Sequence, residues 1–115
     1  MSWTIEYFTD NRGDSPVEEF LNGLQKVERA KATRFLNLLQ EFGVELGPPH
    51  AKPLTGQKPL WELVPKPNRL IYFLHTNHRF IILHGFTKKR NKTSKQDIAT
   101  AKRNMKTFLE REGNR

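Results

Sequence analysis

Apolar residues alternate at the start of the chain, at Trp3, Ile5 and Tyr7, with Phe8 following after a shift. The turn-rich run Asp10-Asn11-Arg12-Gly13-Asp14 ends what this spacing predicts to be a short strand. In Ser15-Pro16-Val17-Glu18 the serine can cap free amides, the proline suits the first helical position and the glutamate completes a capping box, so a helix starts here. Its apolar face is Val17, Phe20, Leu21 and Leu24. After Lys26 a second series at Ala32, Phe35, Leu36, Leu39 and Phe42 predicts a second helix, closed by Gly43 through a left-handed cap.

From Gly47 to Pro59 the periodicity fades among prolines and glycines, which predicts a loop carrying His50, Lys52 and Lys58. Three strand-like runs follow at Leu60–Val64, Leu70–His75 and Phe80–Phe86. Their short polar connections, Pro65-Lys66-Pro67-Asn68 and Thr76-Asn77-His78-Arg79, favour an antiparallel meander. A last helix can be capped by Thr93 or Ser94, with Asp97 three residues beyond Ser94, and it repeats Ile98, Ala101, Met105, Phe108 and Leu109 at helical spacing. The element order is βααβββα, an α+β fold. Helices gathered on one face of its small antiparallel sheet would leave the opposite face, or an edge, open to a ligand.

With 115 residues, 36% of them hydrophobic, the chain suits one domain over residues 1–115 with a buried core. The absence of cysteine excludes a disulfide framework and thiolate zinc sites, and it favours a cytoplasmic setting. No segment approaches the roughly 18 consecutive apolar residues of a membrane span, so no membrane partner is expected. The net charge is +8, and it is unevenly placed. Residues 84–115 hold ten Lys/Arg against three Asp/Glu, a net of +7, while residues 1–83 hold ten against nine. Such asymmetry suits a polyanion, RNA or DNA before anionic lipid, although a basic surface can also serve solubility alone.

The densest feature is His84-Gly85-Phe86-Thr87-Lys88-Lys89-Arg90-Asn91-Lys92-Thr93, a strand running straight into four basic residues in five. Clustered like charge repels itself, so a compact anion such as phosphate is a reasonable partner, aided by backbone amides at the following helix start. Arg69 opens the run Leu70-Ile71-Tyr72-Phe73, where strand pairing could bring it near those cations or set it against Glu62 in a salt bridge. Tyr72 reads as a core residue that could alternatively stack on a base. His84, just before the basic run, is a candidate proton-transfer group, or else a satisfied sheet histidine.

His50, His75, His78 and His84 lack a ligand spacing such as H-E-x-x-H, so neither a metal nor another cofactor is expected. A G-x-x-x-x-G-K-[ST] loop, a G-x-G-x-x-G fingerprint and a G-x-S-x-G elbow are all absent, which demotes nucleotide triphosphate, dinucleotide and esterase chemistry. A helix-turn-helix reading is weak because the charge does not gather on the second helix.

Taken together and in order, Lys52-Pro53-Leu54-Thr55-Gly56, Leu60-Trp61-Glu62-Leu63, Arg69-Leu70-Ile71-Tyr72-Phe73 and His84-Gly85-Phe86-Thr87-Lys88-Lys89 with Lys92-Thr93 resemble the phage-derived Gp49-like group of HigB-type toxins within the RelE superfamily. The resemblance spans residues 3–110. It implies the same RelE-like fold and a toxin that cleaves mRNA, commonly on the ribosome, and is silenced by a helix-turn-helix antitoxin of the HigA kind. Arg69 matches the family arginine at the start of the central strand, and Lys88 and Lys89 match the basic pair after the last long strand. The chain departs from the pattern at Glu62, where some members carry lysines. It also lacks, in residues 87–115, the tyrosine that some members carry near the last helix.

RNA supplies its own nucleophile, so a metal-free enzyme must orient the ribose 2′-hydroxyl and stabilise the charge that develops on the phosphate. The expected catalytic set is Arg69, Lys88, Lys89 and His84, with Glu62 as another candidate base. Lys52, Arg90, Lys92 and Tyr72 are expected to bind RNA. The products would be 2′,3′-cyclic phosphate and 5′-hydroxyl ends. The rival functions are a noncatalytic RNA- or ribosome-binding module and an inactive prophage remnant that keeps only antitoxin binding.

Overall fold

The computed structural model describes residues 3–90 and 92–113; Asn91, within the basic run, lies outside the described residues. In chain order the elements are β1 (Thr4–Tyr7), α1 (Pro16–Asn22), α2 (Lys26–Phe42), a single 3-10 turn (Gly43–Glu45), β2 (Ala51–Pro53), β3 (Trp61–Leu63), β4 (Asn68–His75), β5 (Arg79–Thr87) and α3 (Lys95–Gly113). The α+β class and the meander β3–β4–β5 agree with the sequence pattern.

Two features depart from it. The proline-rich stretch read as a loop contains β2, which pairs antiparallel with β3 through Ala51↔Leu63, Lys52↔Glu62 and Pro53↔Trp61. A proline is tolerated there because β2 is an edge strand, where one face of the backbone needs no ladder partner. At the opposite edge, β1 runs parallel to β5, from Thr4↔Arg79 to Tyr7↔Ile82, giving the sheet order β1-β5-β4-β3-β2.

Local chemistry sets the helix starts. The Ser15 hydroxyl accepts the Glu18 amide at 3.2 Å with Pro16 in the first turn, and the Ser94 hydroxyl accepts the Asp97 amide at 3.1 Å while donating to the Asp97 carboxylate at 2.6 Å. Ser94, not Thr93, is therefore the cap of α3.

Helices cover both faces of the sheet, not one. Val17 and Leu21 of α1 and Ala32, Phe35, Leu36 and Leu39 of α2 pack on Leu70, Tyr72, Phe80 and Ile82. On the other face Ala101, Met105 and Phe108 of α3 pack on Ile71, Phe73, Ile81 and Leu83. Each fully buried Leu or Ile among them contributes about 1.5–3 kcal/mol. Phe42 and Leu109 match the helical spacing, yet at 45% and 41% exposure they fall outside these cores. Among the described residues no helix is long and apolar enough to cross a membrane.

One irregularity in β5 positions the site. Ile71 pairs with His84 but Tyr72 pairs with Ile82, so Leu83 is an extra residue. This bulge shifts the alternation by one, turning Leu83, His84 and Phe86 toward α3 and Gly85 toward Phe20 on the opposite face. The buried Asn104 side chain donates to the Leu83 carbonyl at 2.9 Å, so α3 supplies a hydrogen bond where the strand ladder is interrupted.

Candidate functional site

The site forms where the cover of α3 ends, at the start of β4, the end of β5 and the loop between β5 and α3. Pairing places Lys52, Glu62 and Ile71 side by side across β2, β3 and β4, and Ile71 faces α3. Alternation along β4 puts Arg69 on the same face as Ile71, opposite Phe86 of β5. Four stretches of sequence therefore deliver charged side chains to one corner of the sheet.

Arg69 is only 7% exposed. Its Nη1 donates to the Asn68 carbonyl at 2.9 Å, and its Nε lies 3.6 Å from Oε1 of Glu62, too far for a hydrogen bond. Burial lowers the Arg69 pKa and the Glu62 charge raises it, but a guanidinium so basic stays charged. Neighbouring backbone is held from several sides. The Asn68 amide donates to Glu28 at 2.9 Å and its oxygen accepts from Thr87 at 2.7 Å, while the Lys66 carbonyl accepts from Lys31 at 3.2 Å.

Arg69 opens into a cleft of about 440 Å³, where Lys52, Lys66, Lys88 and Arg90 join it over walls made by Pro48, Pro49, Ala51 and Val64. Lys88 also borders a second hollow with Lys52, Thr55, Glu62, Lys92 and Thr93, and a third with Lys89, Arg90, Lys92 and Ser94. The three depressions thus meet at Lys88. Its ammonium gives up a proton more readily than an ordinary lysine, chiefly because it is partly buried. Glu62 opposes that shift, while Lys52, Arg69 and Lys66 reinforce it. Such a concentration of cations, with Arg69 buried, Lys88 half-buried and Lys52, Lys66 and Arg90 exposed, suits consecutive backbone phosphates.

The expected residues divide accordingly. Arg69, Lys88, Lys52 and Arg90 share one cleft, and Lys92 borders the adjoining one. Lys89 is exposed and lines the third hollow, not the cleft that Arg69 lines. His84 is diverted from the cleft: its Nε2 meets the Asp97 carboxylate at 2.8 Å, and its ring stacks on Phe86 at 5.5 Å. Tyr72 is 3% exposed on the α1–α2 face, edge-on to Phe80 at 5.7 Å, and burial raises its pKa. It packs the core and does not face the cations.

The histidines stay apart, with His50 edge-on to Phe35 and His75 beside Glu112 and Phe108. Sequence reasoning missed Lys66, placed between two prolines in a connecting turn, and the tie from Thr93 to Glu62. The Thr93 hydroxyl donates to Oε2 of Glu62 at 2.5 Å, and that carboxylate is fully enclosed.

A family model described as "Phage derived protein Gp49-like" matches residues 19–106, about three-quarters of the chain. The chain belongs to this family. No curated protein matches it. Every cleft residue of this Gp49-like protein, from Pro48 to Arg90, falls inside the matched segment, whereas β1 lies outside it. The family match and the cation cluster therefore concern the same part of the molecule.

Proposed function

We propose that this Gp49-like protein is the toxin of a type II toxin–antitoxin pair, an endoribonuclease that cuts mRNA on the ribosome and is restrained by a HigA-like helix-turn-helix antitoxin. The family's association with RelE-type toxins supports the reading. The observation that carries it is the convergence of Arg69, Lys52, Lys66, Lys88 and Arg90 on one cleft. A buried guanidinium flanked by lysines is a preorganised donor set for the extra negative charge of a phosphate under attack.

In this mechanism the ribose 2′-oxygen bonds to the adjacent phosphorus, its proton leaves to water, and the bond to the 5′-oxygen breaks. Arg69 holds the non-bridging oxygens as charge builds on them. Lys88, whose environment makes its ammonium more acidic than usual, donates the proton that the departing 5′-oxygen needs. The products are a 2′,3′-cyclic phosphate and a 5′-hydroxyl, and no cofactor enters. His84, held by Asp97, is not needed for either transfer. Because the acid form of Lys88 is required, cleavage slows as pH rises through its lowered pKa. Lys52, Lys66, Arg90 and Lys92 bind flanking phosphates.

A binding-only module is the second reading, favoured by the Glu62–Arg69 pair, which gives Arg69 a structural partner. Induced expression followed by mapping of transcript 5′ ends separates the two. The expected result is growth arrest with new 5′-hydroxyl ends inside coding regions, both relieved by co-expressing the antitoxin. Arrest without new ends would support the binding module, and neither effect would contradict toxin activity altogether.

A further inference from the structure

The second hollow, which shares Lys52 and Lys88 with the cleft, has a single carboxylate in its lining, Glu62, and that carboxylate does not face solvent. Glu62 is fully enclosed although only one of its oxygens, Oε2, has a hydrogen-bond donor, the Thr93 hydroxyl. Burying a charge so sparsely bonded is unfavourable, and an apolar residue at the same place would commonly hold a sheet together better. The residue therefore calls for an explanation beyond stability.

Its contacts supply one. Thr93 is the last loop residue before the Ser94 cap of α3, so the bond from Thr93 to Glu62 fixes one end of the basic loop. The other end is fixed where the Lys88 amide donates to the Pro67 carbonyl at 2.9 Å, one residue before β4 begins. Between those anchors lie Lys89, Arg90 and Lys92. The second oxygen of Glu62 faces Nε of Arg69 at 3.6 Å, and neither atom has a hydrogen-bond partner. The carboxylate attracts the guanidinium without engaging it as a hydrogen-bonded fork, which leaves Arg69 donors for an anion in the cleft.

We propose that Glu62 is a positioning residue that holds Arg69 of β4 and, through Thr93, the basic loop against one point of β3, so that cations from separate stretches are aligned on a single RNA phosphate before it arrives. The inference rests on the ribonuclease reading of the cleft. Glu62 also favours the charged forms of Lys88 and Arg69. Lys88 is flanked by Lys52, Lys66 and Arg69, which favour its neutral form, and Glu62 alone among these neighbours opposes them. The same carboxylate opposes the effect of burial on Arg69.

The test uses the full chain with single-turnover cleavage of mRNA on programmed ribosomes, alongside thermal melting and RNA affinity. Thr93→Val removes the hydroxyl while keeping its shape. It should lower the cleavage rate by about tenfold or more with little change in affinity, because misalignment acts on the reacting geometry. Thr93→Ser, which restores the hydroxyl, should recover most of that rate. Glu62→Gln can still accept from Thr93 but lacks the charge, so the alkaline limb of the rate profile should move to lower pH as Lys88 loses its opposing neighbour. If both variants cleave at the wild-type rate with an unmoved limb, whatever their melting temperatures, Glu62 is merely structural and the proposal is overturned. Failure of the wild-type protein to cleave at all would instead overturn the ribonuclease reading beneath it.

Discussion

Replacing Arg69 with lysine is expected to lower single-turnover cleavage by about 10²–10³-fold, the usual effect of removing one preorganised donor from a developing oxyanion. Lysine keeps the charge opposite Glu62 but not the planar, multiply donating head, so RNA affinity should change only several-fold. Alanine is a different experiment. It would leave the Glu62 carboxylate enclosed without the cation 3.6 Å away, at a destabilisation of roughly 3–5 kcal/mol, and the melt would register it before the kinetics did. The lysine variant therefore isolates chemistry from folding. Cleavage by it within threefold of wild type, where affinity is also unchanged, would remove Arg69 from the transition state.

A comparable loss of stability is expected at a residue outside the cation cleft. Gly43 ends α2 with φ +57° and ψ −128°, and a Cβ there would lie only 2.0 Å from Cε2 of Trp3. Trp3 has little freedom to yield, since its ring packs against Phe80 at 5.3 Å. Gly43→Ala combines an overpacked contact, about 1–3 kcal/mol, with a backbone conformation that side chains disfavour, about 1–3 kcal/mol more. A fall in melting temperature of about 10 °C or more follows for a domain of this size. Gly47→Ala is the matched control, because its Cβ would meet nothing within 4 Å. Equal melting temperatures for the two variants would show that the Trp3 contact is not formed.

The helix starts and the meander β3–β4–β5 were legible in the sequence, whereas strand β2, the parallel pairing of β1 with β5 and the bulge in β5 were not. Ser15-Pro16 and Ser94 with Asp97 announce helix starts because the capping partners lie within four residues. Strand β2 is three residues long, contains Pro53 and exists only because β3 lies beside it, so no periodicity could reveal it. The bulge is hidden for a related reason: Phe80, Ile81, Ile82 and Leu83 are all apolar, and an unbroken apolar run carries no record of which face each residue takes.

That hidden shift governs the site. It turns His84 toward α3, where Asp97 occupies it, whereas Arg69 and Lys88 reach their cleft through ordinary alternation and a loop of fixed ends. Tyr72 lies one residue out of phase with Ile71 and so faces the opposite core. Glu62 was recognisable as a partner for Arg69, being on the neighbouring run, but its bond to Thr93 spans 31 positions and leaves no mark in sequence spacing.

The most direct measurement places a single 2′-deoxyribose at the nucleotide whose 3′ linkage is cut, in an mRNA bound to programmed ribosomes. If the 2′-oxygen is the nucleophile that Arg69 and Lys88 serve, the ribose substrate yields a 2′,3′-cyclic phosphate and a 5′-hydroxyl, while the substituted linkage stays intact with the RNA still bound. Cleavage of the deoxy linkage at an undiminished rate would contradict the mechanism and require a nucleophile from elsewhere.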